Sequence, residues 1–132
     1  MQNLIFIFVG ALFALAFVLA AERAGSYRKE KRVYALGLIA AAVIYVGFGL
    51  FSGSIGWQLT ELAGLIVYAF FAFAGVRRSG WYLCAGWALH TVWDVFLHDA
   101  STAFVPDWYR IVCLGFDVPV AARIAMREWR LK

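Results

Sequence analysis

The chain has 132 residues, which is the usual length of a single domain. Hydrophobic residues make up 64% of it, against roughly 45–50% in soluble domains, and the formal net charge is +4. This composition excludes an ordinary water-soluble domain, because a fold of this size cannot bury so much apolar surface, and it indicates a membrane protein.

Five apolar segments of 18 to 20 residues follow one another along the chain, each long enough to cross a bilayer as a helix. They are residues 3–21, 33–51, 57–76, 80–97 and 108–126. The first two contain no charged side chain, whereas the last three carry ionisable groups. The sequence therefore predicts an all-α bundle of five transmembrane helices that forms one domain over residues 1–132.

The first segment resembles a secretory signal peptide only superficially. No positive residue precedes it, and its apolar run is longer than that of a signal peptide. We therefore expect it to remain in the protein as a membrane helix.

Lysine and arginine are distributed unevenly between the two ends of the predicted helices. Ten of the twelve lie in residues 21–32, 77–78 and 127–132, whereas the loops 52–56 and 99–107 contain none. Positive residues accumulate on the cytoplasmic side of membrane proteins. The sequence thus predicts an outside N-terminus, a cytoplasmic C-terminus and a multi-pass protein of the bacterial inner membrane. We attribute the positive charge to this bias and predict no nucleic-acid partner.

Helices one and two carry small residues at a spacing of four, Gly10 with Ala14 and Gly37 with Ala41. Small residues at this spacing allow helices to approach closely in a membrane. We expect them to serve packing, either within the bundle or in a homodimer formed through helices one and two.

The stretch HTVWDVFLHD, residues 90–99, is the most polar part of the predicted fourth helix. His90, Asp94 and His98 are four residues apart, which places them on one face of an α-helix. Apolar Val92 and Phe96 fall on the opposite face, which suits lipid. The polar face is therefore predicted to point into the bundle or into a water-filled cavity.

Five ionisable side chains from three helices are predicted to converge on one pocket that opens to the outside. They are Glu61, His90, Asp94, His98 and Asp117. The rise of an α-helix places Glu61 and Asp94 in one layer and His90 and Asp117 in a deeper one, with His98 at the mouth.

Three carboxylates at neighbouring depths repel each other unless protons, Arg110 or a metal ion compensate their charge. Two imidazoles with carboxylates form a suitable ligand set for zinc or iron. The five residues are therefore predicted as metal ligands or as the partners that orient them. Two alternatives remain open: a protonatable relay or substrate site without metal, and polar side chains that only pack the bundle.

The sequence supports three functions for such a pocket. In the first, a metal-dependent hydrolase acts on a lipid-like or small amphiphilic substrate, with Asp94 or Glu61 as general base. Arg110 and Trp87 would contact the substrate, Asp99 would lie at the rim, and the loop after it could form a lid. The second function is a proton- or cation-coupled carrier or channel, and the third is a structural accessory subunit. Whether the chain is an enzyme stays open.

Two segments, GWALHTVWDVFLH and VPDWYRIVCLGFDVPVA, resemble a family of small bacterial integral membrane proteins of unknown function. The resemblance lies mainly within residues 80–125, and it implies no activity. It is carried by Trp87, His90, Trp93, Asp94, Pro106, Trp108, Tyr109, Phe116 and Asp117. The residue types are also similar to those of metal-dependent membrane hydrolases of the alkaline ceramidase type. Those proteins have more helices, and this chain has no matching serine motif.

Overall fold

The computed structural model describes residues 1–98 and 104–132, and these residues form five α-helices and no strand. The helices are α1 (Gln2–Glu22), α2 (Tyr27–Leu50), α3 (Ile55–Arg77), α4 (Gly80–Val92) and α5 (Asp107–Arg130). A π-helical turn, Trp93–Leu97, continues α4. The predicted all-α class is confirmed.

Three of these helices, α1, α2 and α3, are long and apolar enough to cross a membrane. The remaining two predicted spans, residues 80–97 and 108–126, coincide with α4 plus its π-helical turn and with most of α5. That these two also cross the bilayer stays a prediction.

The second helix begins at Tyr27, six residues before the predicted apolar segment. Ser26 caps it by accepting a hydrogen bond from the backbone N–H of Lys29, as expected for serine at a helix start. Ser54 and Ser79 cap α3 and α4 in the same way. Hydropathy locates where a helix becomes apolar, whereas the capping residue decides where it begins.

Helices α1 and α5 approach each other closely, and glycine makes this possible. A Cβ on Gly10 would lie 2.1 Å from the carbonyl oxygen of Val112, and one on Gly115 would lie 2.2 Å from a carbonyl oxygen of α1. Gly37 in α2 faces the ring of Phe17. These small residues therefore pack within the bundle. The homodimer through helices one and two stays a prediction.

The bundle exposes apolar side chains and buries polar ones within its apolar core. Large apolar side chains lie exposed along the helices, among them Phe8, Phe13, Leu36, Ile66, Phe70 and Phe73. Within the described residues, six polar or charged side chains are buried, namely Glu30, Glu61, His90, Asp94, His98 and Asp117. Such an arrangement suits lipid as the surrounding solvent, and it places most of the ionisable groups singled out above in the interior.

Candidate functional site

The centre of the site is a cluster of one imidazole and two carboxylates. His90 Nδ1 lies 2.7 Å from Asp117 Oδ2 and 3.5 Å from Asp94 Oδ2, and all three side chains are buried. One ligand atom from each residue lies within 4.8 Å of the others, a grouping that could hold a metal ion. The structure thus brings together His90 and Asp117, the two residues that their depths placed in one layer.

Two tyrosines complete this cluster. The hydroxyl of Tyr45 in α2 donates a hydrogen bond to Asp94 Oδ1. The ring of Tyr68 in α3 lies 5.1 Å from that of His90, centroid to centroid. The sequence does not reveal these contacts, because a tyrosine within an apolar helix has no local pattern that identifies its partner. The carboxylate of Asp94 is the available signal, since a buried hydroxyl needs such an acceptor.

Glu61 and His98 form a second pair next to the first cluster. Glu61 Oε1 lies 2.5 Å from His98 Nε2, and both residues are buried. The indole N–H of Trp93 donates to Glu61 Oε2 over 3.3 Å. Tyr45 links the two groups, because its ring stacks on His98 at a centroid distance of 4.7 Å.

The π-helical turn separates His98 from the other residues of its predicted face. The backbone N–H of His98 bonds to the carbonyl oxygen of Trp93, five residues earlier, at 3.2 Å. Because a π turn is wider than an α turn, His98 leaves the stripe of His90 and Asp94 and pairs with Glu61. Glu61 therefore lies against His98, and its predicted position in one layer with Asp94 stays a prediction.

The described residues bury His98 at the end of the bundle that the sequence predicts to lie outside, so His98 does not stand at an open mouth; that the site faces outward stays a prediction. His98 is fully buried. The rings of Trp57 and Phe104 lie 5.3 Å and 5.6 Å from its own and cover it. Hydropathy and spacing place a residue in depth, but they do not reveal the aromatic rings that close over it. Asp99 and the rest of the predicted lid, through residue 103, lie outside the described residues.

A lateral groove reaches the site from the side of the bundle. This groove of about 420 Å³ lies between α1, α2 and α5, and its lining is largely apolar, including Phe13, Phe17, Ala41, Ile44 and Val112. Asp117 and Trp87 also belong to its lining. One carboxylate of the cluster therefore borders a space that an apolar chain fits.

Arg110 does not contact any of the site carboxylates. Its guanidinium donates to the backbone carbonyl of His98 and to the carboxylate of Asp107, the latter at 2.5 Å. The possibility that Arg110 compensates the charge of these carboxylates is therefore wrong, because Arg110 lies two turns before Asp117 in α5 and reaches the end of the π-helical turn. Its predicted role in holding an anionic substrate stays a prediction.

Several buried polar atoms have no hydrogen-bond partner within the described part of the chain. They include His90 Nε2, Asp94 Oδ2, His98 Nδ1, Trp87 Nε1 and Tyr68 Oη. The close contact of Glu61 Oε1 with His98 Nε2 also lacks the geometry of a hydrogen bond. Buried polar atoms are rarely left unpaired in native proteins. The site therefore has spare capacity for a polar ligand.

Comparison with known families assigns the chain to a family. Residues 1–128 match the family described as "Family of unknown function (DUF6010)". The chain belongs to this family. The match covers nearly the whole chain, whereas the resemblance in the sequence lay mainly within residues 80–125. No curated protein and no solved structure matches the chain. The predicted uncharacterised family is confirmed, the bacterial origin stays a prediction, and the function has to be argued from the site.

Proposed function

We propose that this chain is a five-span membrane protein that binds one divalent transition-metal ion, zinc or iron, between His90, Asp94 and Asp117. The N-terminus lies outside and the C-terminus in the cytoplasm. The exposed apolar side chains on all sides support membrane insertion. The 18 residues from Gly80 to Leu97 extend for about 27 Å, close to the roughly 30 Å of bilayer hydrocarbon.

The charge balance of the site is the observation that carries the metal proposal. Glu61, Asp94 and Asp117 are all buried. Among residues 1–98 and 104–132, the ion pairs of arginine involve other carboxylates, those of Asp107, Glu22 and Glu30. Buried carboxylates without a compensating cation are costly in a membrane. Protons or a metal ion have to supply the missing positive charge.

The positions of the ligand atoms favour a metal ion. Ligands at 2.0–2.2 Å from a tetrahedral zinc ion lie roughly 3.3–3.6 Å from one another. The separation of 3.5 Å between His90 Nδ1 and Asp94 Oδ2 fits this value. The 2.7 Å between His90 and Asp117 would have to open by roughly 0.7 Å, which a small side-chain rotation provides. Tyr45 holds the other oxygen of Asp94 and so orients the carboxylate.

The lateral groove favours a hydrolase of lipid-like or small amphiphilic substrates over a carrier. An acyl chain in the groove would present its ester or amide group near Asp117. The bound ion would polarise that carbonyl and activate a water molecule. The water oxygen would bond to the carbonyl carbon while Glu61, which lies outside the proposed ligand set, would accept the proton and pass it to the departing alcohol or amine as its bond to the carbonyl carbon breaks.

Glu61 suits the role of base better than Asp94 does. Both oxygens of Asp94 are engaged in the proposed arrangement, since Oδ1 accepts a hydrogen bond from Tyr45 and Oδ2 faces the ion, whereas Glu61 lies outside the proposed ligand set, beside Trp93 and His98. A carrier, by contrast, needs a polar path through the bundle. The buried residues before His90 in α4 are Gly80, Leu83, Gly86 and Trp87, which favour no such path.

Elemental analysis of the detergent-purified protein tests the metal proposal. We expect about one zinc or iron ion per chain, loss of the ion in the His90→Ala, Asp94→Ala double variant, and retention in Asp107→Asn. Asp107 is the matched control because its carboxylate is exposed and lies outside the cluster. If the double variant does not fold, the isosteric Asp117→Asn replaces it. A folded wild-type protein that takes up neither ion on reconstitution overturns the proposal.

The hydrolase is tested separately with fluorogenic acyl esters and amides presented in mixed micelles. Ala41→Trp places a large ring in the groove, whereas Ala88→Trp adds the same ring on an exposed face of α4. We expect the first variant to lose hydrolysis while keeping the metal, and the second to retain both. Metal-loaded wild-type protein without turnover leaves metal binding in place and refutes the hydrolase.

A further inference from the structure

Two adjoining cavities lie between α2 and α3 at the end of the bundle where the basic residues accumulate, remote from the metal cluster. The first, of about 510 Å³, is lined by Tyr27, Arg28, Lys31, Arg32, Val76 and Arg77. The second, of about 630 Å³, shares Arg32, Val76 and Arg77 with the first and continues along the two helices. A strongly basic space thus passes directly into an apolar one.

The basic cavity has uncompensated positive charge. Arg28, Lys31, Arg32 and Arg77 form no ion pair within the described residues. The arginines of α5 at this end of the bundle behave differently, because Arg123 and Arg127 are paired with Glu22 and Glu30.

A carboxylate near the basic cavity is already engaged. Glu128 accepts a hydrogen bond of 2.6 Å from the hydroxyl of Tyr27. The four cations of the cavity therefore remain available to an anion from outside the chain.

The second cavity is shaped by small and apolar side chains. Ala35, Leu36, Ile39, Ala69, Ala72 and Phe73 line most of it. Arg77 joins the two spaces, since its guanidinium lies 5.2 Å from the centre of the Phe73 ring. The same arginine thus borders both the charged and the apolar part of the continuous space.

We propose that this pair of cavities is a binding site for an anionic phospholipid. The phosphate of the headgroup lies among Arg28, Lys31, Arg32 and Arg77, and one acyl chain lies along the apolar cavity between α2 and α3. Basic pockets between membrane helices on the cytoplasmic side are suited to anionic headgroups. The charge selects the anionic lipid, and the adjoining apolar space requires a ligand with an attached chain. This site does not depend on the metal cluster.

Native mass spectrometry in detergent tests the site by titration with phosphatidylglycerol and with phosphatidylcholine of the same acyl chains. We expect the wild-type protein to retain phosphatidylglycerol preferentially. The Arg32→Ala, Arg77→Ala double variant should bind it about tenfold or more weakly, because each basic residue contributes measurably to attraction of an anionic headgroup. The Arg130→Ala, Lys132→Ala variant removes the same charge from the tail and should bind like the wild type.

The role of the second, apolar cavity is tested by filling it with a large side chain. Ala69→Trp places a ring in the second cavity, and Ala63→Trp places one on an exposed part of the same helix. Only the first should weaken phosphatidylglycerol binding. Equal retention of both lipids, or equal losses in the test and control variants, overturns the proposal. So does displacement of the lipid by millimolar inorganic phosphate with no effect of Ala69→Trp, because the site then recognises free phosphate.

Discussion

The hydroxyl of Tyr45 donates a hydrogen bond to Oδ1 of Asp94, although 49 positions of sequence separate the two residues. The other oxygen of the same carboxylate lies 3.5 Å from His90. One side chain of α2 thus fixes the orientation of a carboxylate on the π-helical turn. A tyrosine in this position acts on the candidate metal ion through Asp94.

Replacement of Tyr45 by phenylalanine is expected to weaken zinc binding by about 10- to 100-fold, which is the usual effect of removing a partner of a metal ligand. Tyr68→Phe is the matched control, because the Tyr68 ring also lies near His90 but its hydroxyl has no hydrogen bond within the described residues. Competition against a chromophoric chelator in detergent measures both affinities. Equal affinities of Tyr45→Phe and the wild type would contradict the proposed role of this hydroxyl.

The close contact of α1 and α5 predicts a strong effect of a single methyl group. Gly10→Ala would place its Cβ 2.1 Å from a backbone carbonyl of α5, so the helices must separate. We expect a loss of about 1–3 kcal/mol in the free energy of unfolding. Gly47→Ala adds the same methyl group where no atom lies within 4 Å, and it should leave stability unchanged or raise it by up to about 1 kcal/mol. Thermal unfolding in detergent distinguishes them, and comparable melting temperatures for both variants would refute this packing.

Glu30 is buried near the basic end of the bundle and depends on Arg127. Arg127 Nη2 lies 2.7 Å from one oxygen of Glu30, and the hydroxyl of Tyr34 donates to the other. Arg127→Ala should destabilise the protein by about 1–3 kcal/mol, because it leaves a buried carboxylate oxygen without its partner. Arg130→Ala, which removes an exposed arginine of the same helix, should have little effect.

A double-mutant cycle isolates the contribution of this pair. Glu30→Gln in the Arg127→Ala background should recover part of the lost stability, since the buried charge is then gone. If the two substitutions were additive, the ion pair would contribute nothing of its own.

The proposed topology places the loops that follow α1 and α2 on opposite sides of the membrane. Gly25 and Gly53 lie in these two loops, and both have a positive φ and no neighbour within 4 Å of an added Cβ. Cysteine at either position therefore causes similar strain, which makes the two variants a matched pair. With Cys84 and Cys113 replaced by alanine, a membrane-impermeant maleimide should label Gly53→Cys in intact cells. It should label Gly25→Cys only after permeabilisation, and the reverse pattern would invert the proposed orientation.

The helical fold and the proximity of His90 to Asp117 could be predicted from the sequence. Long apolar segments predicted the helices, because a helix is the only way in which such a segment satisfies its backbone in lipid. The rise per residue was sufficient to place His90 at the depth of Asp117, and the structure joins them at 2.7 Å.

Other contacts of the site could not be predicted from the sequence, because they depend on how the helices pack against one another. Tyr45 lies in an apolar helix with no polar neighbour on its own face, so its contact with Asp94 follows only from the packing of α2 against α4. The cover over His98 comes from Trp57 and Phe104, which belong to other segments. The departure of His98 from the predicted face comes from a change of helix type that its neighbours in sequence do not signal.

Because of the π-helical turn Trp93–Leu97, the number of residues in this segment matters as much as their identity. If this segment formed an ordinary α-helix at the same length, His98 would rotate by about 100° about the helix axis. His98 would lose Glu61 even though no site residue had been replaced. A single-residue insertion within this short segment should therefore be tolerated far less than substitutions of its exposed side chains, such as Phe96.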